Sequence, residues 1–266
     1  MEGITFREFD NFALCCVDYF SDEIKQSLRM NLSQICHGSE QANQKRAMYN
    51  YNNTIKAFWD RYSSKAETTK KGMLGELLSH VIILNLFPRF EIVSPFFNLE
   101  ERSIKKGFDI LLYESSRQCV WITEVKSGEI HKDKDSTLTT LDLLNTARDD
   151  LKFRLAEQQL NHWQNAIHAA KIAIDGKKVD YKDVVIDILQ DEGDLVTVGG
   201  AVSQDNNALL ISALFHNVSE QVSEEFINEF SKSLGEAGLF KSFFVFSLQK
   251  GTLKNLEDFL RTEAGA

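Results

Sequence analysis

Only two prolines, Pro88 and Pro95, occur in the 266 residues, and they fall close together. Proline removes a backbone donor and ends helices, so a loop belongs there and long elements can run elsewhere. Cysteine is almost as scarce. Cys15 and Cys16 are adjacent, Cys36 and Cys119 stand alone, and no C-x-x-C pair exists. That excludes a disulfide framework, and Cys36-His37 with Cys15-Cys16 fits the spacing of no common zinc module. No run of eighteen uncharged apolar residues is present, and the N-terminus lacks a basic-then-apolar pattern. A cytoplasmic protein is therefore expected, neither membrane-spanning nor secreted by signal peptide. Basic charge is also in deficit, with 30 Lys and Arg against 39 Asp and Glu, a net charge of -9. Phosphate neutralisation normally dominates affinity for nucleic acid, so this balance argues against a stand-alone binder. No G-x-S-x-G, Walker or dinucleotide fingerprint occurs, nor any internal repeat.

What is present is charge inside apolar runs. Gly107-Phe108-Asp109-Ile110-Leu111-Leu112-Tyr113 and Val120-Trp121-Ile122-Thr123-Glu124-Val125-Lys126 both read as strands. Burying Asp109, Glu124 and Lys126 costs free energy unless a metal or partner compensates. These are the residue types of a metal-dependent phosphodiesterase: two carboxylates for a hard divalent cation and a lysine to orient or deprotonate water. Strand parity puts Glu124 and Lys126 on one face with Val120 and Ile122, and Trp121, Thr123 and Val125 on the other. A two-residue loop at Ser115-Ser116 would set Asp109 opposite Ile122, and a four-residue loop, Ser115 to Gln118, would set it opposite Glu124. Either keeps Asp109 on the face of Glu124. A three-residue loop would turn it away and dissolve the site.

A further carboxylate, Glu76, lies in Lys70 to Leu84, a segment apolar on most sides of a helical projection. It shares a stripe with His80 and Ile83. Facing inward, it could complete a cation's ligand set or hold its water; alternatively it is a solvated acid near a helix start, favoured by the macrodipole.

A helix with Glu76, then Gly107-Phe108-Asp109, then Glu124-Val125-Lys126 resembles the PD-(D/E)xK nuclease superfamily in its E…D…ExK form without the proline, over roughly residues 70 to 165. Gln159-Leu160-Asn161-His162-Trp163 is similar to the Q-x-x-x-Y element of RecB-like members, with Trp163 in place of Tyr and with Gln158 and Gln164 as alternative glutamines. More narrowly, the Lys71-Gly72-Met73-Leu74-Gly75-Glu76 helix start, the Gly-Phe-Asp strand, the chain length and the polar N-terminal third resemble the HamA family, nuclease subunits of Hachiman anti-phage defence. The resemblance implies a restriction-endonuclease-like α/β fold, a mixed sheet flanked by helices with N- and C-terminal elaborations. It also implies Mg²⁺ (or Mn²⁺) held by Asp109, Glu124 and the Val125 carbonyl, with Glu76 direct or through water. Lys126 would activate water, Gln159 would fix the lysine or the substrate, and the substrate would be DNA. The implied protein partner is a superfamily 2 helicase, which would also resolve the charge deficit by gripping the nucleic acid.

The organisation expected is an N-terminal elaboration over 1–65, a nuclease core over 66–175 and a C-terminal α/β portion over 176–266 packed on it. Ser39 to Ser64 reads as one polar helix containing Trp59. Thr137 to about Ile174 reads as a long helical stretch broken near Asp149-Asp150. In the tail, strands are expected at Val184 to Leu189, Leu195 to Val202, Ala208 to Phe215 and Ser242 to Leu248, with helices at Glu220 to Leu234 and Thr252 to Thr262. Gly199-Gly200 reads as a bulge or bend. Lys70-Lys71, Lys105-Lys106 and Lys132 with Lys134 flank the carboxylates and read equally as phosphate contacts or solvated surface. Glu129 is a possible fourth acid. His80, His131, His162, His168 and His216 lack ligand spacing and read as packing or surface residues. Two other classes stay open: a degenerate nuclease fold serving as a binding module, and an α/β protein in which Asp109, Glu124 and Lys126 form a buried ion-pair network.

Overall fold

The computed structural model describes residues 1–97, 107–176, 179–251 and 253–266. Lys105, Lys106 and Thr252 lie outside the described residues. A hairpin of β1 (Ile4–Glu8) and β2 (Phe12–Val17) leads to α1 (Asp22–His37), which is capped by the Ser21 hydroxyl and carries Asp22 and Glu23 in its first turn. Both features satisfy or complement the unpaired amides of a helix start. Next come α2 (Ser39–Asn43), α3 (Tyr51–Ser63) and α4 (Glu67–Leu86), then β3 (Phe90–Ile92), β4 (Ile110–Glu114) and β5 (Cys119–Gly128). Helices α5 (Ser136–Ala156), α6 (Leu160–Ala173) and α7 (Val179–Thr197) precede β6 (Asn207–Phe215), α8 (Glu224–Ala237), β7 (Ser242–Lys250) and α9 (Lys254–Ala264).

The strands form one mixed seven-stranded sheet in the order β1-β2-β7-β6-β5-β4-β3. The central neighbours β2, β7, β6 and β5 run parallel, while hairpin pairing at both margins is antiparallel. The sheet draws strands from all three of the sequence segments set out above. Alternation along the strands builds a core on each face. On one, Ile110, Leu112, Trp121, Ile211 and Phe246 meet α1, α3, α4 and α9. On the other, Leu111, Ile122, Leu210 and Val245 meet α5, α6, α7 and α8. Strands buried on both faces read as near-continuous apolar runs, as β6 does apart from Asn207 and Ser212. Among the described residues no helix is long and apolar enough to cross a membrane.

Several expectations shift. The polar stretch 39–64 divides at a 3₁₀ turn, Ala47–Tyr49, because the Asn50 side chain caps a fresh helix through the Asn53 amide. The helix after β5 runs unbroken through Asp149-Asp150, since Leu144, Ala147, Leu151 and Leu155 form one buried stripe across that point; the break comes at 157–159. The strands expected at Val184 to Leu189 and Leu195 to Val202 are instead mostly α7, with Val185, Leu189 and Val196 buried at helical spacing. Packing of that stripe overrides the strand preference of its β-branched residues. Gly199 is no bulge: at a φ of 72° it closes α7, while the Gly200 amide donates to the Leu195 carbonyl at 2.9 Å, a Schellman ending.

Candidate active site

The β4–β5 connection decides the site. Ile110 pairs with Thr123 and Glu114 with Cys119, leaving Ser115 to Gln118 as a four-residue loop. Gln118 takes the left-handed φ of 48° that closes it. Extending the register by one residue sets Asp109 opposite Glu124. Asp109 is pinned to β5 there, because its Oδ2 accepts a hydrogen bond from the Val125 amide at 2.8 Å. Asp109, Glu124 and Lys126 therefore share the sheet face covered by α5.

An open cleft of about 610 Å³ lies over them, lined also by Glu76, Arg154, Glu157 and His162. Glu76 arrives from α4 on the opposite layer. It sits near the middle of a helix that starts at Glu67, and it is buried, so it is not a solvated acid of the first turn. Gly75 makes this approach possible: a Cβ there would lie 2.5 Å from the Ser127 Cβ on β5.

Glu124 is 1% exposed and central. Its Oε1 accepts from Lys126 Nζ at 2.8 Å and from an Arg154 guanidinium nitrogen, while Oε2 is buried without a hydrogen-bond partner. Burial pushes its pKa up to about 7, with the neighbouring Asp109 charge adding to the rise and Arg154 and Lys126 opposing it. Lys126 also bonds Asp150 Oδ2 at 2.6 Å, and these carboxylates hold its pKa above the usual lysine value against desolvation. Arg154 reaches the Gly107 carbonyl at 3.3 Å, tying the entry of β4 to the site.

Sequence reasoning missed Asp150, Arg154 and Glu157. The signal was available: Asp150 and Arg154 are four apart on α5 and so share a face. Gln159 does not line the cleft. It sits at the N-cap of α6, and its amide donates to the Glu157 carboxylate, so it touches the cleft wall through Glu157. Gln158 bonds the Ala156 and Ala201 carbonyls instead, and Gln164 is exposed. Trp163 is buried edge-on against Phe108. His162, read as a packing or surface residue, is buried but faces the cleft, with Nε2 3.6 Å from Glu157. Of the flanking bases, Lys70 pairs with Glu67, Lys71 with Glu129 and Lys134 with Asp142, and none of these lines the cleft.

Among the described residues no three His, Cys, Asp or Glu side chains converge as a ready metal cage. A small hard cation asks for less. Mg²⁺ keeps several waters and is usually held by one or two protein carboxylates. Asp109 and the bare Oε2 of Glu124 supply that pair, and the Val125 carbonyl lies on the same strand edge as the amide Asp109 accepts from, so the donor set fits such an ion.

Fold and cleft together define an α/β protein with a mixed, helix-flanked sheet that carries a Glu-x-Lys pair facing a second acid in an open groove. The HamA family model matches residues 5–264, and the chain belongs to the HamA family. That membership ties it to Hachiman anti-phage defence. No curated protein matches the chain.

Proposed function

We propose that this chain is a metal-dependent nuclease of PD-(D/E)xK type, cutting DNA as the effector of a Hachiman complex with a superfamily 2 helicase. The observation that carries the reading is the juxtaposition of Asp109 and Glu124 across β4–β5, with Lys126 beside them and one Glu124 oxygen buried without a partner. Asp109, Glu124 and the Val125 carbonyl would hold Mg²⁺, or Mn²⁺ in its place, with Glu76 contributing directly or through water. When bound, the ion supplies polarisation of a non-bridging phosphate oxygen and stabilises charge in the transition state.

The chain's own groups do the rest. The Val125 amide orients Asp109, and Glu124 with Asp150 keeps Lys126 protonated at neutral pH, so its Nζ acts first as a donor that orients the attacking water. Arg154 offsets the negative charge on Glu124 and stands in the cleft where a phosphate would lie. Gln159 acts by positioning Glu157. The net charge of -9 supports a helicase that delivers nucleic acid to this cleft.

One observation favours a second reading, an α/β protein built around an ion-pair network: Asp150, Lys126, Glu124 and Arg154 form a continuous chain of ion pairs. Incubating the chain, alone and with the helicase, with DNA in Mg²⁺ or EDTA separates the two. A nuclease cuts only with metal and loses activity in Glu124→Ala and Lys126→Ala; an ion-pair network shows no metal dependence and cuts in neither condition.

A further inference from the structure

Phe153 is 66% exposed, yet it lines the same cleft as Glu124 and Lys126. Its place on α5 accounts for both facts. Asp150, bonded to Lys126, lies three residues before it and Glu157, on the cleft wall, four after, so the ring stands on the stripe that borders the site. A phenylalanine here forgoes the burial that normally stabilises a large apolar side chain. Phe226, Met30 and Met48 are exposed too, but none of them lines the cleft. Across the groove, half-buried Met73 on α4 provides a second apolar wall with a flexible, polarisable thioether.

The polar lining does not favour a polyanion. Glu76, Asp109, Glu124 and Glu157 face only Lys126 and Arg154, and both cations are already engaged by Glu124. Phosphate attraction by the chain's own groups, the usual source of nucleic-acid affinity, is therefore weak in this groove and leaves at most the bound cation to hold a phosphate. A base offers another source, because every base has a π-face that stacks on an aromatic ring whatever the sequence. Such a face is open only when the base is out of a duplex stack.

Resting on the nuclease reading above, we infer that Phe153 is a stacking platform and that the cleft takes single-stranded nucleic acid, or a strand already unwound. One base sits on the Phe153 ring while the adjoining phosphate faces Glu124 and Lys126. The ring adds a local, charge-independent hold to whatever a helicase delivers.

The test is fluorescence anisotropy of the full chain with a short labelled single strand in Ca²⁺, beside a duplex of equal length. Phe153→Ala should weaken strand binding by about 5- to 150-fold, the range for losing one base stack, whereas Phe153→Trp should keep it. An abasic nucleotide walked along the strand should reproduce the loss at one position, and there Phe153→Ala should cost nothing more. Circular dichroism melts check that the variants stay folded. The inference is overturned if wild type shows no measurable strand affinity, if Phe153→Ala binds as wild type, or if duplex binds as tightly as the strand. Unchanged strand affinity with lost helicase assembly also overturns it and gives the ring to a protein interface. Cleavage assays in Mg²⁺ keep the two readings apart. Phe153-dependent binding without any cleavage sinks the nuclease and leaves the platform standing; cleavage stopped by Glu124→Gln but untouched by Phe153→Ala does the reverse.

Discussion

Neutralising Glu124 without changing its shape should stabilise the metal-free protein at neutral pH. The carboxyl is 1% exposed, and burial with the adjacent Asp109 charge lifts its pKa from 4.5 to about 7. A value above that of the unfolded chain means that folding favours the protonated form. Below about pH 4.5 the group is protonated in both states and costs nothing. As pH rises from there to about 7 the unfolded chain ionises first and stability falls; above that the penalty is constant. At about 1.4 kcal/mol per pH unit, the full loss is on the order of 3 kcal/mol. Glu124→Gln keeps an acceptor for Lys126 and Arg154 and cannot ionise, so its stability should lack this decline. Urea unfolding of both proteins in EDTA at intervals from pH 4 to 8 measures the difference, and titrations common to both cancel. The variant should gain on wild type by a few kcal/mol across the window. Parallel curves would refute the argument that desolvation and Asp109 outweigh the two cations at Glu124. Adding Mg²⁺ should close the gap by stabilising wild type alone, through preferential binding to the folded state.

Other outcomes follow from particular contacts. Lys126→Ala and Glu124→Ala should each lower cleavage by about 10²–10³-fold with the fold intact by circular dichroism, and undiminished cutting by Glu124→Ala would sink the assignment. Asp109→Ala frees the Val125 amide and removes half of the carboxylate pair, so Mn²⁺ binding followed by calorimetry should be lost. Gly75→Val should cost about 1–3 kcal/mol by overpacking α4 on β5, and pairing Gly75→Ala with Ser127→Gly should recover more of the Gly75→Ala loss than two independent sites would. If the proposed partnership holds, co-expression with a superfamily 2 helicase encoded beside this chain should give a stable complex with greater DNA degradation than the isolated chain.

The residue pattern alone determined the two strands at the site and their facing. Parity puts Glu124 and Lys126 together whatever surrounds them, and the apolar runs of β4, β5, β6 and β7 announce buried strands because a sheet covered on both faces tolerates little else. The loop remained open between lengths, since Ser115 to Gln118 is polar throughout and only pairing with β5 selects one register. Tertiary structure decided what local pattern could not. Val- and Ile-rich α7 has strand propensity and becomes helix because its buried stripe packs on the preceding helix α6 and, to a lesser degree, on β5. Arg154, Asp150 and Phe153 look like an ordinary mixed-charge helix until α5 lies across the sheet and turns that face onto Glu124. Glu76 likewise gains its place from an opposite layer: its motif was legible, but the approach of Gly75 to Ser127 on β5 that brings it to the site was not. Side chains within a few residues of each other obey periodicity; the meeting of α4, β4, β5 and α5 depends on burial shared across the whole fold.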